Sequence, residues 1–104
     1  MPAKFRVEIT SSAEADISKI WDYIAQDSPG NAEAFVQAIE EQIASLEKFP
    51  QRCSRIPENE TLGTSCRHLI HGSHRTIFRI AGSNVIILRV IHSARLLDTS
   101  LFTS

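Results

Sequence analysis

Charged and apolar residues alternate without a break from Lys4 to Ile9. That period puts Phe5, Val7 and Ile9 on one face and predicts a half-buried strand. The alternation ends at Thr10-Ser11-Ser12, where Ser11 and Glu14 have the spacing of a capping box that opens a helix. Within that helix Ala13, Ile17, Ile20, Trp21 and Ile24 form an apolar stripe, backed by Glu14, Asp16, Lys19 and Asp22. Trp21 is read as core and Tyr23 as helix surface. The helix should stop near Asp27. Ser28 then caps a second helix, with Pro29 in its first turn, where the missing N–H costs nothing. Ala32, Phe35, Val36, Ile39, Ile43 and Leu46 make its stripe, which Phe49-Pro50 stops. Two amphipathic helices with so short a link form an antiparallel hairpin.

Residues 50–65 contain two prolines and a glycine with no sustained period, so they read as a long surface loop. Three short apolar runs follow, Cys66 to Ile70, His74 to Ile80 and Val85 to Ile91. Gly72 and Gly82 sit in the gaps between them, which predicts hairpin turns and a meander of antiparallel strands. The order β-α-α-β-β-β predicts an α+β fold, an N-terminal strand and an antiparallel α-helical hairpin packed on a small antiparallel β-sheet.

Composition fits one domain over residues 1–104, since 42% of the chain is hydrophobic and 22% is charged. No run approaches the roughly 20 apolar residues that span a bilayer, and Met1-Pro2-Ala3-Lys4-Phe5 leads into no signal-like segment. A cytoplasmic location is expected, with no membrane partner, and with Cys53 and Cys66 as free thiols. The net charge of −1 conceals a polarity. Residues 1–51 carry four basic residues against nine acids, a balance of −5, and residues 52–104 carry seven arginines against three acids, a balance of +4. Such a chain can offer a local anion-binding face whatever its total charge.

Alternation assigns faces within the meander. Phe78, Ile80, Leu88 and Val90 should point towards the helices, and Arg75, Arg79 and Arg89 to the open face. Arg67 is a fourth candidate there, and Arg95 follows the last strand. A guanidinium fork binds two oxygens at once and keeps its charge, which suits phosphate or carboxylate. Arginines on an open sheet face are as often ordinary solvated residues, many of them paired across strands with acids, as functional ones. Between Arg67 and Arg95, however, there is no Asp or Glu, so their partners must be the acidic helices or another molecule. Cys66, His68, His71, His74 and His92 do not reproduce a common zinc spacing, and neither metal nor cofactor is expected. His92 reads either as an acid or base beside the arginines or as a hydrogen-bonded plug at the end of the core, and its parity with Leu88 and Val90 favours the plug. No serine elbow, phosphate-binding glycine loop or paired catalytic carboxylates are present.

From Phe5 to Arg95 the chain resembles the RelE/ParE superfamily of type II toxin–antitoxin toxins. The resemblance rests on the Ala15-Asp16-Ile17 to Trp21-Asp22-Tyr23-Ile24-Ala25 helix, on Phe35 through Leu46 to Pro50, on Arg67-His68-Leu69, on Gly72-Ser73-His74-Arg75-Thr76-Ile77-Phe78-Arg79-Ile80, and on Ile87-Leu88-Arg89-Val90-Ile91-His92-Ser93-Ala94-Arg95. It implies a toxin of a plasmid-stabilisation type module that arrests growth when free of a cognate antitoxin, with which it forms a hetero-oligomer.

The superfamily's RelE-like members cleave mRNA on the ribosome by activating a ribose 2′-OH, chemistry that needs a proton acceptor, a proton donor and cationic clamps. For that branch the resemblance implies Arg75 and Arg95 as catalytic arginines, with His92, or else His74, as the substitute for the family's acid or base. The lysines typical of the preceding strand are replaced by Cys66, Arg67 and His68, however, and the tail Leu96 to Ser104 holds no tyrosine or histidine. ParE-like members poison DNA gyrase by binding and need no such set, so the gyrase-type branch is favoured and mRNA cleavage is the alternative. For either branch Arg67, Arg75, Arg79, Arg89 and Arg95 are the candidate anion- or partner-binding residues.

Overall fold

In the computed structural model residues 4–96 are described, and the tail beyond Leu96 lies outside them. Strand β1 (Arg6–Ile9) leads into helices α1 (Ser11–Ala25) and α2 (Pro29–Ser45), and a single 3-10 turn (Pro50–Arg52) and a short helix α3 (Asn59–Leu62) follow. The chain closes with strands β2 (Arg67–His71), β3 (His74–Ala81) and β4 (Asn84–His92). Ser28 caps α2 as expected, its hydroxyl accepting from the Asn31 N–H at 3.2 Å with Pro29 in the first turn. The cap of α1 is Thr10, one residue earlier than the Ser11 capping box. Its hydroxyl accepts from the Ala13 N–H at 3.1 Å and donates to the carbonyls of Ile87 and Leu88 in β4. Thr10 therefore stitches the helix to the sheet while it starts the helix, a second task that local spacing does not reveal.

The strands lie in the order β1-β4-β3-β2. The last three form the expected antiparallel meander, through two-residue turns whose first positions, Gly72 and Gly82, have φ of 57° and 62°. Only glycine enters that region without cost, and primed turns of this kind match the twist of the strands. β1 runs parallel to β4, so the sheet is mixed. The parallel pairing follows from the helical hairpin, which carries the chain from one end of β1 back to the edge of the sheet.

Ala13, Ile39, Ile43, Leu46, Cys53, Phe78, Val85 and Ile87 fill the core between helices and sheet. Full burial of one of the larger side chains contributes roughly 1.5–3 kcal/mol. A smaller cluster of Ile56, Cys66, Ile77 and Ile91, with Leu62 and Leu88 against it, lies on the other face. The predicted loop is thus a folded cover, and the face expected to be open is closed by Ile56 and Leu62. Cys53 and Cys66 are both buried and free, in different clusters. Burial pushes both thiols above their ordinary range. Among the described residues no helix is long and apolar enough to cross a membrane.

The faces of β4 and the place of Trp21 also depart from the sequence assignments. The register between β3 and β4 shifts at Ile77/Phe78, so that Phe78 opposes Ile87 and Ile77 opposes Arg89, with Leu88 as the extra residue of a bulge. Leu88 consequently joins the smaller cluster instead of pointing at the helices. Trp21 is 39% exposed and Tyr23 is 74% exposed, so Trp21 stands at the margin of the α1 stripe and not in the core.

Candidate partner-binding site

The arginines that alternation placed together are separated by their partners. Arg75 is only 4% exposed and packs its guanidinium against Glu58, which precedes α3. One Nη donates to Glu58 Oε1 at 3.1 Å and lies 3.4 Å from His68 Nδ1. The other meets Glu58 Oε2 and donates to the Arg95 carbonyl at 2.9 Å. A buried charge needs such partners, because an unpaired guanidinium in this setting would cost several kcal/mol; only the Arg75 Nε has none among the described residues. The pair fastens both the cover segment and the chain after β4 to the centre of the sheet. Burial, with the Arg75 charge beside it, holds the His68 imidazole below the ordinary histidine range, although Glu58 works in the opposite sense.

Arg89 turns the other way. β1 ends at Ile9, opposite Ile87, while β4 runs on to His92, so the edge of β4 loses its strand neighbour halfway along. The first turns of α1 lie there instead. The Asp16 carboxylate accepts from Arg89 Nε and an Arg89 Nη at 2.7 Å each, and from the Val90 N–H at 2.9 Å. One oxygen thus takes the place of the missing strand. The bonds to Asp16 raise the Arg89 guanidinium further above its ordinary value, against the opposing effect of burial.

Arg67, directly opposite Phe78, donates to the carbonyls of Gln51 and Cys53 at 3.1 and 2.6 Å and holds the 3-10 turn in place. Arg79 and Arg95 are exposed, and among the described residues neither has a carboxylate within ion-pair distance. Arg79 borders a groove of about 370 Å³ with Ser65 and Leu88.

His92 is exposed and is no core plug. Its Nδ1 accepts from the Ala94 N–H at 3.1 Å, and its ring meets His74 edge-on at 5.5 Å between centroids. His74 in turn packs against Phe35 of α2, at 5.1 Å. Burial, together with His92 and His71, keeps the His74 imidazole below the ordinary histidine range. His92 therefore lies towards Phe35 on the helix side of the sheet, and Arg75 lies with Glu58 on the covered side. Among the described residues no group of three His, Cys, Asp or Glu could hold a metal ion.

Sequence reasoning missed Glu58 and Asp16 as the partners of Arg75 and Arg89. A trace was there for Glu58, which is one of only three acids after residue 51. A buried arginine in that half had few local carboxylates to find.

The sequence model described as "ParE toxin of type II toxin-antitoxin system, parDE" matches residues 7–97. No curated protein matches the chain. Among solved structures, the chromosomal ParDE toxin–antitoxin system from P. aeruginosa is similar at 26% identity and a TM-score of 0.67, over 86% of this chain and 96% of that one. The toxin–antitoxin complex RelBE2 from Mycobacterium tuberculosis is similar at 25% identity and a TM-score of 0.61, over 86% of this chain and 98% of that one.

Proposed function

Because the chain belongs to the ParE family of type II toxin–antitoxin toxins, we propose that, free of its antitoxin, it arrests growth by binding DNA gyrase and performs no bond-breaking chemistry itself. The observation that carries this reading is the fate of the arginines. A ribonuclease of this fold needs its cationic clamp turned to solvent and a proton donor or acceptor beside it. Here Glu58 occupies the fork of Arg75, and His92 lies across the sheet from it. A binding poison needs neither group. Arg79 and Arg95 are the members of the predicted set left at the surface to meet an acidic partner, and the two similar structures, both toxin–antitoxin systems, support an antitoxin as one such partner. The likeness to RelBE2 makes mRNA cleavage the competing reading.

Brief induction of the chain alone in a bacterial host separates the two. Trapped gyrase–DNA cleavage complexes, an active DNA-damage reporter and intact messages are expected. Cuts within translated codons, found by primer extension with a quiet reporter, would overturn the gyrase reading in favour of a ribosome-dependent endonuclease.

A further inference from the structure

The turn His71-Gly72-Ser73-His74 joins β2 to β3, and the register makes His71 and His74 direct cross-strand partners. His74 is likewise the partner of His92 in β4, so three histidines form one row across three strands, on the helix side of the sheet. Phe35 of α2 closes over this row, its ring 5.6 Å from that of His71 and 5.1 Å from that of His74. His74 and His92 meet edge-on at 5.5 Å, too close for both to be charged without repulsion. The His92 Nδ1 accepts from the Ala94 N–H at 3.1 Å, so a neutral His92 carries its proton on Nε2. A second proton would turn that acceptor into a donor facing another donor, and the bond would be lost.

The other charges near the row do not favour a proton on His74. Those that act on it, His92 and His71, both oppose one. Phe35 is the contact from α2, whose acids Glu33, Glu40 and Glu41 line the outer groove beside Trp21. Asp16 of α1 is committed to Arg89 and the Val90 N–H, and Arg75 of β3 lies with Glu58 on the covered face. At the same corner the Ser93 N–H donates to the Ser73 carbonyl at 2.7 Å, tying the chain after β4 to the β2–β3 turn.

We propose that the row His71, His74 and His92 is an acid-opened clasp. The uncharged rings hold Phe35 and the Ser73–Ser93 junction closed. Proton uptake by His74 opens that corner and frees the chain that leads to Arg95, while the core around Ile39 and Ile43 and the Asp16–Arg89 junction stay folded. The closed corner keeps His74 below its ordinary range, and opening restores a value of about 6.5. Opening therefore gains up to about tenfold for each pH unit below that value.

Relaxation-dispersion NMR of the amide nitrogens of the full chain reads the population of the open state. From pH 7.5 to pH 5.5 the population seen at Phe35, Ser73 and Ala94 should rise at least about threefold, with Val90 silent at both. His74→Phe keeps a ring against Phe35 and takes up no proton, so it should abolish the rise. His92→Gln keeps an acceptor for the Ala94 N–H without the charge and should reduce it, and His68→Gln, beside Arg75 on the covered side, should leave it unchanged. The same minor state at Val90 would mean global unfolding and overturns the clasp, as does the lack of any minor state at either pH. An undiminished rise in His74→Phe, or in His92→Gln should His74→Phe fail to fold, overturns it as well.

Discussion

Replacement of Asp16 by alanine should unfold the junction of helix layer and sheet more than any other exchange on α1. The Asp16 carboxylate holds three N–H donors, two from Arg89 and one from the Val90 backbone, across 73 and 74 residues of sequence. The two side chains are 10% and 16% exposed, so solvent screens the pair only in part. Breaking a buried ion pair from one side costs about 3–5 kcal/mol, because the surviving charge is left without compensation. The residual exposure of Arg89 argues for the lower end, about 3 kcal/mol. In a domain of this size 1 kcal/mol moves the melting midpoint by roughly 4–8 °C, so Asp16→Ala should lower it by roughly 12–24 °C. Asp16→Asn keeps an acceptor for the Val90 N–H and should lose about half as much. Urea and thermal unfolding followed by circular dichroism measure both. The double variant Asp16→Ala with Arg89→Met removes the stranded charge along with the acid, and should be more stable than the sum of the single changes by at least about 1 kcal/mol. A loss below about 1 kcal/mol for Asp16→Ala, with additive behaviour in the double variant, would refute the reasoning, because that is how an exposed salt bridge behaves.

Thr76 is fully buried with its hydroxyl unpaired among the described residues, so Thr76→Val, which keeps the shape and removes the unsatisfied group, should raise stability by about 1 kcal/mol in the same urea assay. A drop would mean that the hydroxyl has a partner such as bound water. Because the folded state holds His74 below its ordinary range, the unfolded chain binds that proton more readily. Stability should therefore be full at pH 8 and decline as pH falls below about 6.5, the unfolded histidine value. His74→Gln should flatten that slope, and an unchanged slope would assign the titration elsewhere. Glu58→Gln leaves the Arg75 guanidinium uncompensated at 5% exposure, for a cost of about 3 kcal/mol. It should also speed proteolysis within residues 54–66, and a variant as resistant as the parent would show that Ile56 and Leu62 hold the cover without the ion pair.

The helical hairpin was legible because its information is local. Ser28-Pro29 and the stripe from Ala32 to Leu46 act within a few residues of one another, and the structure repeats them with Ser28 as the cap. The faces of β4 were not legible for the opposite reason. Val85 to Ile91 is apolar at every position but Arg89, so one parity suits the pattern as well as the other, and the choice falls to long-range pairing at the Leu88 bulge. The cover segment escaped notice because Ile56 and Leu62 anchor it without any period. Trp21 was drawn into the core by its place in the α1 stripe, which is wider than the surface that α1 buries.

The polarity between the halves of the chain posed a sharper question, whether the arginines answer to the acidic helices or to another molecule. Both answers hold, for different residues. Arg89 is taken by Asp16 of the acidic half, Arg75 by Glu58, and Arg67 by backbone carbonyls, so three of the five candidate arginines serve the fold. Arg79 and Arg95 remain exposed. Ionic strength distinguishes the two groups, since salt screens exposed charges over about 10 Å at 0.1 M and reaches buried pairs far less. Raising salt to 0.5 M should therefore weaken the binding of an acidic partner at Arg79 several-fold and leave the unfolding midpoint nearly unmoved. If stability instead fell in step with binding, the Asp16–Arg89 junction would be open to solvent, and the separation of structural from partner-facing arginines would fail.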